Sequence, residues 1–135
     1  MFKKKILVTG GDGRFAKVLK KKYQKLNLCF ASKKECNILS EKSILKTIKK
    51  IRPSIVLHTA ALSRPMSIHE SNINKSIDLN IIGTANLVKI CNKFNIKIIY
   101  FSTSYVYEGT KGNYSEDSPV KPFNNYGLSK LGGEC

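Results

Sequence analysis

Tyr126 and Lys130 stand four residues apart in Tyr126-Gly-Leu-Ser-Lys130. On a helix this spacing sets a phenol and an ammonium on one face. A free tyrosine titrates near ~10, and a close cation favours its phenolate. Such a pair can pass a proton to or from a hydroxyl near neutral pH. Both residue types are common in this chain, so the spacing gains its weight from two other stretches. One is Gly10-Gly-Asp-Gly13-Arg14-Phe15-Ala16, and the other is Ser102-Thr103-Ser104.

The glycine stretch follows an apolar run and precedes helical spacing, with the pattern G-x-x-G-x-x-A. A first glycine permits a tight turn, a second lets the backbone approach a pyrophosphate, and a small third residue lets helix and strand pack closely. The helix start then offers free N–H groups and a positive dipole end to phosphates. A P-loop is excluded, since no Gly-Lys-Ser/Thr closes the turn. The expected ligand is therefore a dinucleotide. After the next apolar run come Ser32, Lys33 and Lys34, where such folds often place an acid for the ribose hydroxyls. Cations there favour a 2′-phosphate, hence NADP over NAD. Ser102-Thr103-Ser104 lies at the end of another apolar run. Its hydroxyls suit either a substrate carbonyl or ordinary turn chemistry.

The elements that must position these groups alternate. Lys5–Val8, Leu28–Ala31, Ser54–His58 and Ile96–Phe101 read as buried strands. Phe15, Val18, Leu19, Tyr23 and Leu26 recur with helical spacing. Ser40 is placed to cap a helix carrying Ile44, Leu45, Ile48 and Ile51, closed by Pro53. A long helix is expected from about Asn74 to Phe94. It carries two apolar stripes: Ile73, Ile77, Ile81, Ala85 and Val88, and then Ile82, Leu87, Ile90 and Phe94. One should cover the sheet; the other needs a subunit interface or a neighbouring helix. Gly83 is expected to allow close packing on the sheet. A loop spans 108–125, and a last helix begins near Tyr126. Strand–helix alternation implies a parallel sheet with helical crossovers, an α/β fold.

Composition excludes several classes. The 135 residues suffice for one domain with a core, and 41% are apolar, as in globular proteins. No apolar run approaches the ~18 residues of a membrane span, and Phe2 to Thr9 is too short and lysine-laden for a signal peptide. Cys29, Cys36, Cys91 and Cys135 lie far apart, so neither a metal site nor a disulfide framework is expected, and a reducing cytoplasm is. The net charge of +15 is spread along the chain. Lys17, Lys20, Lys21 and Lys25 read as a solvated face rather than a nucleic-acid footprint.

Five stretches occur in order: Gly10-x-x-Gly13-x-x-Ala16, His58-Thr-Ala60-Ala61, Asn80-x-x-Gly83-Thr84-x-Asn86-Leu87, Ser102-Thr103-Ser104-Tyr-Val-Tyr107, and Tyr126-Gly-x-Ser-Lys130. Together they resemble the extended short-chain dehydrogenase/reductases that act on nucleotide sugars. Phe101 to Gly109 and Tyr126 to Glu134 look most like the dTDP-4-dehydrorhamnose reductase branch. The resemblance implies a Rossmann-type doubly wound parallel sheet, cut short just after the Tyr-x-x-x-Lys helix starts. It implies Thr103 orienting a sugar carbonyl, Tyr126 as general acid, and Lys130 lowering the phenol pKa and holding the nicotinamide ribose. It also implies cofactor contacts from Gly10, Gly13, Arg14, Phe15, Ser32, Lys33, Asn37, Ile38, Ala60, Ala61 and Leu62, and from Tyr126 and Lys130 themselves. Ser104 and Asn37 stand where this branch commonly has Asp. His58 reads as a strand-end residue, and Arg64 as either solvated or a sugar-phosphate contact.

The expected activity is NAD(P)H-dependent reduction of a 4-keto nucleotide sugar, in cell-surface polysaccharide synthesis. The alternatives are an NAD-dependent epimerase or dehydratase and a non-catalytic dinucleotide-binding regulatory subunit. Family members run to roughly twice this length. Residues 1–135 are thus expected to be an amino-terminal NAD(P)-binding domain lacking its substrate lobe, inactive alone. A homodimer through the 74–94 helix is a further expectation.

Overall fold

The computed structural model describes residues 4–135. Four short strands, β1 (Ile6–Thr9), β2 (Leu28–Ala31), β3 (Ile55–His58) and β4 (Lys97–Tyr100), form one parallel sheet in the order β2-β1-β3-β4. The expected strands hold to within about a residue at each end. Leu7 and Val8 are both fully buried, as an apolar run on a central parallel strand requires. The chain leaves β1 first toward β2 and later toward β3. A ligand crevice therefore opens beyond the carboxyl ends of β1 and β3.

One sheet face carries the main core. Leu7 pairs across the sheet with Cys29 and Val56, and Val56 with Ile98. Onto these pack α2 (Glu41–Ile51) and α5 (Gly83–Lys93), through Ile44, Ile48, Leu87, Ile90 and Cys91. Each fully buried aliphatic side chain contributes roughly 1.5–3 kcal/mol. Ser40 caps α2 as expected: its Oγ accepts the Ser43 N–H at 3.2 Å, a bond of about 1 kcal/mol. The helix ends at Arg52 in the left-handed region, φ 51°, with Pro53 behind it.

The other face is thinner. In α1 (Arg14–Lys22) only Ala16 is fully buried. Phe15, Val18 and Tyr23 are exposed, and Leu26 lies beyond the helix end. The expected core face of α1 is thus largely open. Helical spacing marks residues that can be buried together, but burial needs an element over them. Here the close approach is made at small Ala16, while Phe15 meets Phe101 at 4.9 Å between ring centroids.

The long helix is a rod from Ile73 to Lys93, and it is not uniform. α4 (Ile73–Ser76) passes into a π-helical stretch, Ile77–Ile82, before α5. The first expected apolar stripe is not the inward line, and the second reaches the core only at Leu87 and Ile90. Ser76, Asn80, Thr84, Leu87 and Cys91 are buried, while Ile77, Ile82, Ala85, Val88 and Phe94 are exposed. Three of the inward positions are polar because they hold backbone and side-chain groups near the crevice, which a count of apolar residues misses. π-Helical turns recur at such functional places. Gly83 packs on a different partner from the one expected. A Cβ there would stand 2.7 Å from Ile38 Cδ1, so its neighbour is the segment after β2, not the sheet.

The short helix α3 (Ser67–Ser71) was not foreseen. A 3₁₀ turn, Ser104–Val106, precedes the expected loop, and α6 (Asn125–Glu134) carries the Tyr/Lys pair. Among the described residues no helix is long and apolar enough to cross a membrane.

Candidate active site

The turn after β1 is closed by glycine. Gly10 has φ 66°, and a Cβ on it would lie 2.9 Å from Ala60 Cα. Gly13 N–H donates to the Gly10 carbonyl at 2.8 Å. Gly13 then starts α1 with no side-chain cap and no acid in the first turn. The first amides of α1 are thus left for an anion such as a pyrophosphate, and the missing Cβ atoms of Gly10 and Gly11 let the turn pack against the backbone of Ala60 and Ala31. Arg14 and Phe15 sit exposed at this helix start.

Beside the turn, a cavity of 180 Å³ is lined by Gly10, Lys33, Asn37, Ile38, Ala60 and Ala61, with Cys36 and Leu79. Six expected cofactor residues therefore meet in one place. Ser32 does not join them. Its N–H and Oγ–H both donate to the Glu35 carboxylate, at 2.8 and 2.9 Å, and these bonds hold Glu35 below its usual pKa. Lys34 turns instead to a larger hollow between β2 and α2, with Lys42, Lys46 and Lys50. Of the three residues Ser32, Lys33 and Lys34, only Lys33 faces the dinucleotide-type cavity.

The end of β3 is fixed by a buried polar chain. His58 Nδ1 lies 2.8 Å from Thr9 Oγ1 and Nε2 lies 3.1 Å from Thr84 Oγ1. Thr84 donates its own proton to the Asn80 carbonyl at 2.8 Å, so its oxygen accepts from Nε2–H. Nδ1 must then accept from Thr9, whose oxygen in turn accepts the N–H groups of Thr59 and Ala60, each at 3.2 Å. Every partner is satisfied by one neutral tautomer. Burial first, then the Lys130 charge, lowers the His58 pKa to about 4. His58 is thus a structural strand-end residue, as the sequence led us to expect. Leu62 is tied down rather than lining a cavity. Its N–H donates to Asn80 Oδ1 at 2.7 Å, and its carbonyl accepts from Asn80 Nδ2 at 2.9 Å.

α6 carries Tyr126 and Lys130. Asn124 Oδ1 caps it by accepting the Gly127 N–H at 2.8 Å, and a Cβ at Gly127 would collide with the Tyr105 carbonyl oxygen. Ser129 Oγ donates to the Tyr126 carbonyl at 2.8 Å and accepts from Asn80 Nδ2 at 2.9 Å. The π-helical stretch thereby links the β3 loop to the turn carrying Tyr126. Lys130 is 4% exposed. Its Nζ lies 4.0 Å from the centre of the Tyr100 ring, and burial lowers its pKa to about 8 against the pull of Glu134. Tyr126 and Lys130 line one cavity of 230 Å³ with Phe15, His58, Thr59, Ala61, Ser63, Phe101 and Ser102. Ala61 lines both cavities, so they lie on either side of one residue.

Thr103 is not among these lining residues. Its Oγ1 accepts the Tyr105 N–H at 3.3 Å and caps the 3₁₀ turn. Ser102 faces the cavity instead and donates to the Glu134 carboxylate. Arg64 is exposed. Sequence reasoning gave no role to Asn80, Ser129, His69 or Tyr105.

Three comparisons place the chain among known proteins. The family model described as RmlD substrate binding domain matches residues 4–135. Methionine adenosyltransferase 2 subunit beta of Xenopus laevis is 33% identical over 140 residues, 97% of this chain and 42% of the relative. The dTDP-4-dehydrorhamnose reductase of Aggregatibacter actinomycetemcomitans is 28% identical over 137 residues, 96% of this chain and 45% of the relative. The crystal structure of dTDP-4-dehydrorhamnose reductase from Bacillus anthracis, in complex with NADP, superposes with a TM-score of 0.92 at 28% identity. It covers 99% of this chain and 49% of its own. The chain thus spans about half the length of the proteins it matches. Its parallel sheet and flanking helices share the Rossmann-like dehydrogenase architecture, and the chain belongs to the RmlD substrate-binding domain family.

Proposed function

We propose that this chain binds NAD(P)H along the crevice and supplies the proton-donating pair for reduction of a 4-keto nucleotide sugar. The single observation carrying this reading is the shared cavity of Tyr126 and Lys130, which has Ala61 as a wall residue in common with the glycine-turn cavity. A bound NAD(P)H supplies the hydride. Gly10, Gly13 and the start of α1 hold its pyrophosphate, and Lys33, Asn37 and Ile38 lie toward the adenosine end. Lys33 tilts the preference toward a 2′-phosphate. Tyr126 donates a proton to the alkoxide that forms at the sugar carbon. Lys130, near half-charged at pH 8, places positive charge beside that developing anion. Ser102 and Thr103 are the hydroxyls nearest in sequence that can orient the carbonyl. Thr103 can donate its O–H while its oxygen keeps the bond from Tyr105 N–H.

The test is NADPH oxidation with a dTDP-4-keto-6-deoxy sugar, in the polypeptide that carries residues 1–135. Tyr126→Phe is expected to lower kcat about 10²–10⁴-fold, the usual contribution of a positioned acid, with NADPH binding intact. Unchanged turnover in that variant would remove Tyr126 from the chemistry.

A second reading rests on one finding, the 33% identity to methionine adenosyltransferase 2 subunit beta. On that reading the chain is a dinucleotide-binding subunit of another enzyme, and the exposed Ile77, Ala85 and Val88 of the helical rod offer a docking stripe. The same stripe would serve a homodimer. Co-migration with a methionine adenosyltransferase in sedimentation, with no NADPH turnover on a keto sugar, would favour it.

A further inference from the structure

The short helix α3 lies outside every sequence motif, yet two of its consecutive residues reach the start of α6. His69 is fully buried. Its ring packs against the Tyr126 ring with centroids 4.8 Å apart and planes 49° apart. Nδ1 lies 2.7 Å from Ser76 Oγ, which anchors the imidazole to the buried line of the helical rod. Nε2 has no partner in good hydrogen-bond geometry, with only the Ser63 backbone close enough to favour a protonated ring. Buried ring nitrogens are seldom left so, because desolvation of an unpaired polar atom costs stability. A phenylalanine would fill the same space without that cost. Glu70, the next residue, takes the other half of the contact. Its carboxylate accepts from Asn125 N–H at 3.2 Å and from Asn125 Nδ2 at 2.7 Å. Asn125 immediately precedes Tyr126 and opens α6. A carboxylate on the first turn of a helix also satisfies the dipole.

We propose that His69 and Glu70 form a clamp that positions Tyr126, His69 seating its ring and Glu70 fixing the backbone from which it springs. Both are positioning residues; neither faces the cavity that Tyr126 and Lys130 line. The tyrosine's other flank is Tyr105, at 5.6 Å. The phenol is thereby held between one buried and one exposed ring. Misplacing a reacting group by about an ångström costs on the order of a hundredfold in rate, so such a clamp has leverage without touching substrate. This inference rests on the reductase reading for its kinetic arm only.

The experiment uses three variants and two independent readouts. His69→Asn keeps an amide near Ser76 and removes the ring. His69→Phe keeps the ring and removes both nitrogens. Glu70→Gln keeps the shape and removes the charge. NMR of the chain with ¹³C-labelled tyrosine, the Tyr126 resonance assigned by its loss in Tyr126→Phe, reports the ring's position whether or not the protein is a reductase. We expect the Tyr126 resonances to move in His69→Asn and Glu70→Gln and to stay near wild type in His69→Phe. For the enzyme, kcat should fall about ten- to a hundredfold in the first two, with KM for NADPH nearly unchanged, and recover in His69→Phe. Tyr126 resonances unmoved in both His69→Asn and Glu70→Gln would overturn the clamp. So would equal losses of kcat and NADPH affinity that track a lowered unfolding midpoint, since that is what a purely structural role gives. Moved resonances in a protein without NADPH turnover would keep the clamp and reject the reductase reading.

Discussion

Lys130→Met is expected to make the folded chain more stable at pH 7 while removing its chemistry. The ammonium is 4% exposed, and burial brings its pKa to about 8 from 10.5. One pKa unit corresponds to about 1.4 kcal/mol, so holding the charge costs the fold about 3 kcal/mol at pH 7. Removing the charge should therefore make the variant about 3 kcal/mol more stable than wild type at pH 7. The pH dependence is the sharper signature. Between pH 8 and 10.5 the unfolded chain still holds this proton and the folded chain has released it, so wild-type stability climbs with pH across that window. The methionine variant lacks this climb, and all other titrations are common to both proteins. From pH 7 to pH 10 the wild type should gain about 2–3 kcal/mol on the variant. With urea slopes of ~1–3 kcal/mol/M, the midpoint gap moves by about 1 M. Urea denaturation of both proteins at pH 7, 8.5 and 10 reads this directly. A gap that stays constant with pH, or moves in favour of the variant, refutes the buried-ammonium assignment.

Gly10→Ala should cost about 1–2 kcal/mol for the left-handed backbone alone and more for the Cβ against Ala60. Its melting temperature should drop by several degrees and NADPH binding, followed by fluorescence, should disappear. His58 is neutral in the fold with a pKa of about 4, so its contribution is complete above pH 6.5. It is lost as the pH falls toward 4, about 3 kcal/mol in all. His58→Asn should flatten that limb of the stability profile. Asn80→Ala strands both backbone groups of Leu62, while Ser129 keeps its bond to the Tyr126 carbonyl. About 1–3 kcal/mol is expected for each buried group left unpaired, and hydrogen exchange at the Leu62 amide should accelerate while β1 amides stay protected.

The strands and the glycine turn were legible because each rests on a local rule. An apolar run between turn signals has few alternatives, and Gly10 at positive φ is a position other residues resist. The Ser40 cap was legible for the same reason. The long helix misled because its inward line is half polar. Ser76, Asn80 and Thr84 are buried for the bonds they make to distant segments, and nothing in a neighbouring window announces those bonds. Phe15 and Val18 misled in the opposite sense, since spacing predicts a stripe but not the element that covers it. In the site, Lys130 and Tyr126 followed from helical spacing. The bond that keeps Thr103 on its own turn and the Ser32–Glu35 pairing are local turn contacts that compete with a ligand role at the same residues, whereas α3 behind Tyr126 depends on the folded path of the chain and carries no motif.

The most direct measurement is an NMR contact map of bound NADP on protein with ¹³C-labelled tyrosine. If the crevice seats the dinucleotide with its reactive end at α6, nuclear Overhauser effects run from the nicotinamide ring protons to Tyr126. They should be absent to Tyr114, which lies in the 108–124 loop. Binding without any contact between the nicotinamide and Tyr126, or undiminished binding in Gly10→Ala, contradicts it.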